Sequence, residues 1–283
     1  MNAGAAAKKH ETAYIRQRPS FLRNSRVLLI AAHPDDEVIG AGIQMTRWNP
    51  EQVTFIHVTD GSPLDPKHAQ AAGFDTREEY ATERRSELGR ALKLAGMGEA
   101  RCLELGYVDQ QAHLHLVELV ERLAELIAEI RPSVIYAHPY EGGHPDHDAI
   151  AFAINLSAGL RPASGGRPES RVTVIEFTSY HGGPDGLVRN AFLQSGAVQT
   201  NMLTPSERAL KFEMFQCFKS QEPVLRDFLI AEEKFRTAPQ YDFTKPPHSG
   251  PLHYETLGWN ITGEDWRRRA GEAVEMLQLK RTG

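Results

Sequence analysis

Two short segments of the chain concentrate histidine and carboxylate in a way that chemistry can use: His33-Pro34-Asp35-Asp36-Glu37 and His144-Pro145-Asp146-His147-Asp148. Imidazole nitrogen and carboxylate oxygen are good ligands for zinc and similar divalent ions. A catalytic zinc usually takes three protein ligands and keeps one position open for water. His33 and Asp36 stand three residues apart, and His144 and His147 repeat that spacing. Taken singly, each histidine reads as a capping or surface residue. Two such turns at one place can supply three ligands and leave titratable groups over for proton transfer.

Bringing the two segments together is the work of the elements around them. The first two thirds of the sequence alternate short β-branched runs with longer amphipathic stretches, which predicts an α/β fold, a Rossmann-like, mostly parallel sheet with helices on both faces. Strands are expected at 26–32, 53–59, 101–105, 134–137 and 172–178. Helices are expected at 77–95, ended by Gly96, at 115–130, stopped by Pro132, and at 148–160. A turn-rich loop follows at 162–170. In open parallel sheets, ligands bind beyond the carboxyl ends of the strands. The polar segments 33–37, 60–62, 106–109 and 138–148 each follow one of the first four strands, so they share one rim, and His138 at the fourth strand end lines the same pocket. Past residue 180 the pattern changes to helices at 205–218 and 223–235 and a Pro/Gly-rich stretch at 238–253. A last helix starts at Thr262, capped with Asp265, and runs to about residue 279. The resulting organisation is an N-terminal arm (1–25), a core (26–236) and a C-terminal helical and loop extension (237–283) packed on the same domain.

The chain has 32 Lys and Arg against 37 Asp and Glu, a formal charge of −5, which argues against a basic nucleic-acid binder. Two cysteines exclude a disulfide scaffold and a zinc site built mainly from thiolates. The longest apolar run, 27–32, is far short of the ~20 residues of a membrane span. The N-terminal segment has no apolar h-region, so a cytoplasmic protein is expected.

At these residues the chain resembles the PIG-L or LmbE-like family of metal-dependent N-deacetylases. Ala32-His33-Pro34-Asp35-Asp36-Glu37 and His144-Pro145-Asp146-His147 carry the resemblance. It is extended by Thr59-Asp60-Gly61, Arg84-Arg85-Ser86-Glu87-Leu88, Leu105-Gly106-Tyr107 with Asp109, Ser220-Gln221, and Glu233-Lys234-Phe235-Arg236. It spans roughly 26–236 and assigns nothing from Pro239 onward. It implies a hydrolase that removes an N-acetyl group from an N-acetylglucosamine-containing small molecule or glycoconjugate. It also implies that His33, Asp36 and His147 hold the metal, zinc by default and Fe2+ or another first-row divalent ion otherwise. Asp35 is implied as general base. His144 is implied as oxyanion stabiliser and general acid, with Asp146 beside it. Arg84 and Asp109 are implied as sugar contacts. Some relatives use a tyrosine just before the second motif; Gly142 and Gly143 stand there in this chain, and Tyr140 is the nearest substitute. Relatives range from monomers to hexamers, which makes a homo-oligomer compatible with the family.

Three other readings fit parts of the sequence. An acylase of a non-sugar N-acyl amine would use the same motifs. A non-catalytic metal or sugar binder would not need Asp35 or His144. A dinucleotide-binding module would use Gly40-Ala41-Gly42 and Asp60, but Met45 stands where the third glycine of that fingerprint belongs. Gly40 and Gly42 read instead as letting the first helix approach the sheet. The aromatic stretch 241–259 reads as a lid, a substrate wall or a subunit contact, and Trp48, Trp259 and Trp266 as core or interface residues.

Overall fold

An uninterrupted apolar run puts the first strand inside a sheet covered on both faces. The computed structural model describes residues 26–157, 172–183, 186–193, 196–228 and 230–282. The N-terminal arm and the loop at 162–170 lie outside the described residues. The strands in chain order are β1 (Val27–Ala31), β2 (Val53–Pro63), β3 (Arg101–Asp109), β4 (Val134–Ala137), β5 (Thr173–Phe177), β6 (Tyr180–Gly183), β7 (Gly186–Arg189), β8 (Gln199–Met202) and β9 (Glu232–Thr237). The helices are α1 (Asp36–Met45), α2 (Pro66–Ala71), α3 (Arg77–Leu94), α4 (Leu116–Ile130), α5 (Pro145–Ser157), α6 (Pro205–Phe215), α7 (Glu222–Leu225), α8 (His253–Thr256) and α9 (Gly263–Thr282). Seven strands form one sheet in the order β3-β2-β1-β4-β5-β9-β8; the first five in that order are parallel, and β6 and β7 form a separate hairpin.

Val27, Leu29 and Ala31 point to a layer made by α1, α3 and α6, whereas Leu28, Ile30 and Ala32 point to one made by α4, α5 and α9. This period-2 division buries all of β1, which is why it reads as an uninterrupted apolar run. It also decides where the site lies. The strand order reverses between β1 and β4; α1 leaves β1 over one face, and α5 follows β4 over the other. The crevice at that switch point is flanked by the two His-Pro-Asp turns.

The five parallel strands match the expected positions, with β2 and β3 running four residues further. Helix α5 starts at Pro145 rather than at 148, because proline is well suited to the first helical position. The helix expected at 223–235 is a correction: only Glu222–Leu225 is helical, and Glu232–Thr237 is a strand antiparallel to β5 and β8. Glu233, Phe235 and Arg236 are the buried residues of that strand, and the two charged ones conceal the apolar pattern that would have revealed it.

Glu233 has a specific task. Helix α1 kinks at Ala41 (φ −142°, ψ 21°), which breaks the ladder of helical hydrogen bonds. The Glu233 carboxylate accepts the Ile43 and Gln44 amides at 2.8 and 2.9 Å, and Lys211 Nζ donates to the Ile39 carbonyl and to Glu233, both at 2.8 Å. Gly40 lies against Phe177, where a Cβ would come within 2.1 Å of the ring, so α1 can approach β5 only with glycine there.

Candidate metal centre and active site

Both His-Pro-Asp turns are helix N-termini. Asp36 is the first residue of α1, and His147 sits in the first turn of α5. Exposed amides and the helix dipole favour negative charge at such ends. An aspartate at an N-cap usually accepts a backbone amide of its own helix. Asp35, the N-cap of α1, makes no such bond. Its Oδ2 instead accepts Arg84 Nη2 at 2.7 Å, and Arg84 also donates to the Gly61 carbonyl at the end of β2.

Asp36, His33 and His147 converge. His33 Nδ1 lies 3.1 Å from Asp36 Oδ2, His147 Nε2 lies 3.3 Å from Asp36 Oδ1, and the two imidazole nitrogens are 3.4 Å apart. Ligands about 2.0–2.1 Å from a tetrahedral zinc stand about 3.3–3.4 Å from one another, which is the separation of the two imidazole nitrogens, and each of these faces one oxygen of Asp36. The far nitrogen of His33, Nε2, faces Asp109 Oδ1 at 3.0 Å and Asp146 Oδ2 at 3.6 Å. A carboxylate behind a ligand imidazole fixes its tautomer and leaves the other nitrogen free for metal. The residues present therefore fit a bound divalent ion.

His138 stacks on His147 with centroids 3.8 Å apart, and its Nε2 is 3.3 Å from Asp36. That nitrogen already accepts the Ala32 amide at 3.2 Å, which makes His138 a packing and orienting neighbour in preference to a ligand. His144 lies on the other side of His33, with ring centroids 4.4 Å apart. Its Nδ1 accepts the Asp146 amide at 3.2 Å, so in the neutral ring Nε2 carries the proton and faces Asp109 at 3.5 Å. Asp146 accepts the amides of Gln110 at 2.6 Å and Ala112 at 3.0 Å, tying the end of β3 to α5.

The charges follow from these contacts. Burial opposes ionisation of Asp36, yet the facing imidazoles of His147, His138 and His33 hold its carboxyl well below the usual range. Burial likewise opposes protonation of His33, but Asp109 and Asp36 outweigh it and raise its pKa well above normal, so protons compete with metal there. Asp35 is pushed up to about 6 by burial and by the Asp36 charge, against the pull of Arg84. Burial and the neighbouring His33 push His144 well down.

Among the sequence-predicted residues, His33, Asp35, Asp36, Arg84, Asp109, His138, His144, Asp146 and His147 form one buried cluster. Arg84 faces it, whereas Arg85 is exposed and pairs with Glu104. Tyr140 does not join. Its hydroxyl donates to the Lys245 carbonyl at 3.0 Å, and its ring packs against Tyr241, Phe243 and Trp266. The tyrosine at the site is Tyr180, whose ring centroid is 5.4 Å from that of His147. A side chain at Gly143 is impossible, because its Cβ would lie 2.0 Å from the Tyr180 carbonyl oxygen. Tyr180 follows β5, and reading past the fifth strand as past the other four would have found it. Asp60 is outside the cluster, paired with Arg77.

Residues 28–157, which contain both turns, match the family described as PIG-L: GlcNAc-PI de-N-acetylase. A 1D-myo-inositol 2-acetamido-2-deoxy-alpha-D-glucopyranoside deacetylase of Kineococcus radiotolerans is 30% identical to the chain over 200 residues, covering 59% of this chain and 54% of the relative. The chain spans about half the length of the curated relatives it matches. An N,N'-diacetylchitobiose deacetylase from Pyrococcus horikoshii shares the fold of this chain, with TM-score 0.56 at 20% identity over 77% of this chain and 85% of that one. A 4-carboxy-2-hydroxymuconate hydratase from Pseudomonas putida shares it too, with TM-score 0.51 at 14% identity over 76% and 97%. The fold therefore hosts more than one reaction, and the chemistry of this chain has to be argued from its side chains.

Proposed function

We propose that the chain is a metal-dependent deacetylase that removes the N-acetyl group from an N-acetylglucosamine-type sugar or glycoconjugate. The observation that carries this reading is the convergence of His33 Nδ1, His147 Nε2 and the Asp36 carboxylate, at 3.1–3.4 Å from one another, with Asp35 and His144 beside them. The PIG-L match and the deacetylase relatives support the same chemistry.

His33, Asp36 and His147 hold the ion, zinc in the first instance and Fe2+ or another first-row divalent ion as the alternative. When bound, such an ion acidifies a water and polarises the amide carbonyl. Asp35 takes the proton of the attacking water. Its pKa of about 6 leaves it ionised at neutral pH while keeping it more basic than an ordinary carboxylate, and the Arg84 contact fixes its direction. His144 presents Nε2–H to the oxyanion that develops on the carbonyl oxygen. His144 passes the Nε2 proton to the departing amine, and the proton that Asp35 took from water restores it, so both groups end in their starting states. Water and amide thus become acetate and amine, with no covalent intermediate on the chain.

Arg84 and Asp109, whose polar groups border this space, orient the sugar hydroxyls. The division into a core at 26–236 and an extension at 237–283, action in the cytoplasm and assembly as a homo-oligomer belong to this proposal as expectations from the sequence. No helix among the described residues is long and apolar enough to cross a membrane. The test is acetate release from N-acetylglucosaminides by zinc- or iron-loaded protein. Release by wild type and none by His147→Ala is the expected result; no release from any N-acetyl sugar while a non-sugar N-acyl amine is cleaved would move the assignment to an amine acylase.

A further inference from the structure

The C-terminal segment outside the PIG-L match is built onto the second His-Pro-Asp turn. The His253 amide donates to the Gly142 carbonyl at 2.9 Å, and the Trp266 indole donates to the Pro145 carbonyl at 3.1 Å. Leu252 occupies the space that a Cβ on Gly142 would enter; that Cβ would lie 2.6 Å from Leu252 Cδ2, and Gly142 adopts φ +70°. Between these anchors the chain closes on itself: the Glu255 carboxylate accepts the amides of Leu252 and Gly263, both at 2.6 Å, which pins the two ends of the intervening loop. Trp259 is carried by that loop. Its ring meets His144 edge to face, with centroids 4.9 Å apart and planes at 69°.

The three tryptophans differ in one respect that matters. Trp48 and Trp266 are 3% and 0% exposed in the two cores, whereas Trp259 is half-buried, packed in part against the core that holds Trp266 and in part against His144. An indole held in place next to a polar cluster is the surface on which the C–H face of a pyranose packs, and a carbohydrate carries both that face and the hydroxyls for polar partners.

We infer that Trp259 is the specificity residue of this site: it receives the apolar face of the sugar that bears the N-acetyl group, and so selects N-acetyl sugars over acyclic N-acyl amines. The inference rests on the deacetylase reading above and names its substrate class. Trp259 contacts substrate but takes no part in proton transfer, so its loss weakens binding and leaves the chemical step alone.

Two measurements test it. In the first, kcat and KM are compared for an N-acetylglucosaminide and for N-acetylethanolamine in wild type, Trp259→Ala and Trp259→Phe. The expected result is a KM about tenfold higher for the sugar in Trp259→Ala, kcat within about twofold, near-normal values in Trp259→Phe, and no change with N-acetylethanolamine. An unchanged sugar KM, or equal losses on both substrates, overturns the inference. In the second, N-acetylglucosamine is titrated against the tryptophan emission of metal-loaded protein. A saturable change in wild type that is absent from Trp259→Phe, a variant that keeps a ring at the site and its wild-type melting temperature, supports the inference. No change in wild type, or a change that persists in Trp259→Phe, overturns it. If wild type hydrolyses neither substrate, the deacetylase reading fails, and the emission titration still decides the role of Trp259.

Discussion

Asp35 and Asp146 hold the same place in two His-Pro-Asp turns, yet their surroundings differ. Asp35 has one side-chain partner, Arg84, and is not used to cap its own helix. Asp146 has each oxygen held by a backbone amide, from Gln110 and from Ala112, and stands behind His33 and His144. The histidines invert as well. His33 turns Nδ1 towards Asp36 and His147 with a carboxylate behind it, whereas His144 has Nδ1 engaged by a backbone amide and offers Nε2–H. The two copies of one motif therefore suit different work: in the first, aspartate is positioned to move a proton and histidine to hold metal; in the second, aspartate is an anchor and histidine a donor. Local sequence supplies the groups, and the neighbours that each turn meets assign them.

The sharpest way to break this comparison is to remove a metal-holding residue. His147→Ala should reduce metal content, measured by plasma mass spectrometry, from about one ion per chain to near zero, with activity falling to background. Retention of metal would remove His147 from the ligand set. Next in size is the contrast between the two aspartates. Asp35→Asn should keep its metal and lose about 10²- to 10⁴-fold in kcat. Asp146→Asn should weaken metal affinity by about 10- to 100-fold, with much of the activity recovered in excess metal. Equal behaviour of the two variants would mean that the turns are not differentiated as described.

The smallest effect concerns Asp148, the residue after His147. Its Oδ1 accepts the Glu141 and Gly142 amides, at 3.1 and 3.0 Å, but burial dominates and raises its pKa to about 8. A folded pKa above the unfolded one means that its stabilising contribution is fully present below the ordinary carboxyl pKa and is lost as pH rises through about 8. Asp148→Asn keeps an acceptor for both amides and removes this dependence. Melting temperatures of metal-free protein should therefore be similar for the two forms near pH 4. By pH 8 they should diverge in favour of the variant, by about 2–4 °C for each kcal/mol gained. A difference that stays constant with pH would show that Asp148 does not titrate between folded and unfolded states.

Most of the site was legible because its residues lie in unbroken runs directly after strands that the β-branched pattern marks clearly. Arg84 was harder, since Arg85 is its neighbour; only the packing of α3 on β2 sends one inward to Asp35 and the other outward to Glu104. Tyr140 was misplaced for a related reason: closeness along the chain to His144 suggested closeness in space, but its ring belongs to the core that α9 completes. Strand β9 was hidden because one of its inward positions is a glutamate, paired with Lys211 and with the amides freed by the kink of α1. A buried polar residue satisfied by distant partners leaves no apolar period for a sequence reading to detect.

What the sequence by itself determined was the parallel α/β scaffold and the two runs of histidine and carboxylate that meet at its rim, because hydrophobic period and residue type are local properties. What only the tertiary structure decided was which nitrogen, which carboxylate and which aromatic ring face the crevice. Tyr180 and Trp259 come to it from segments that follow β5 and α8, far along the chain from both turns. Their positions are set by long-range packing, by the absence of a side chain at Gly143 and by the Glu255 clamp on its loop. None of these contacts has a short-range signature, since each exists only once the sheet has brought distant segments within van der Waals reach.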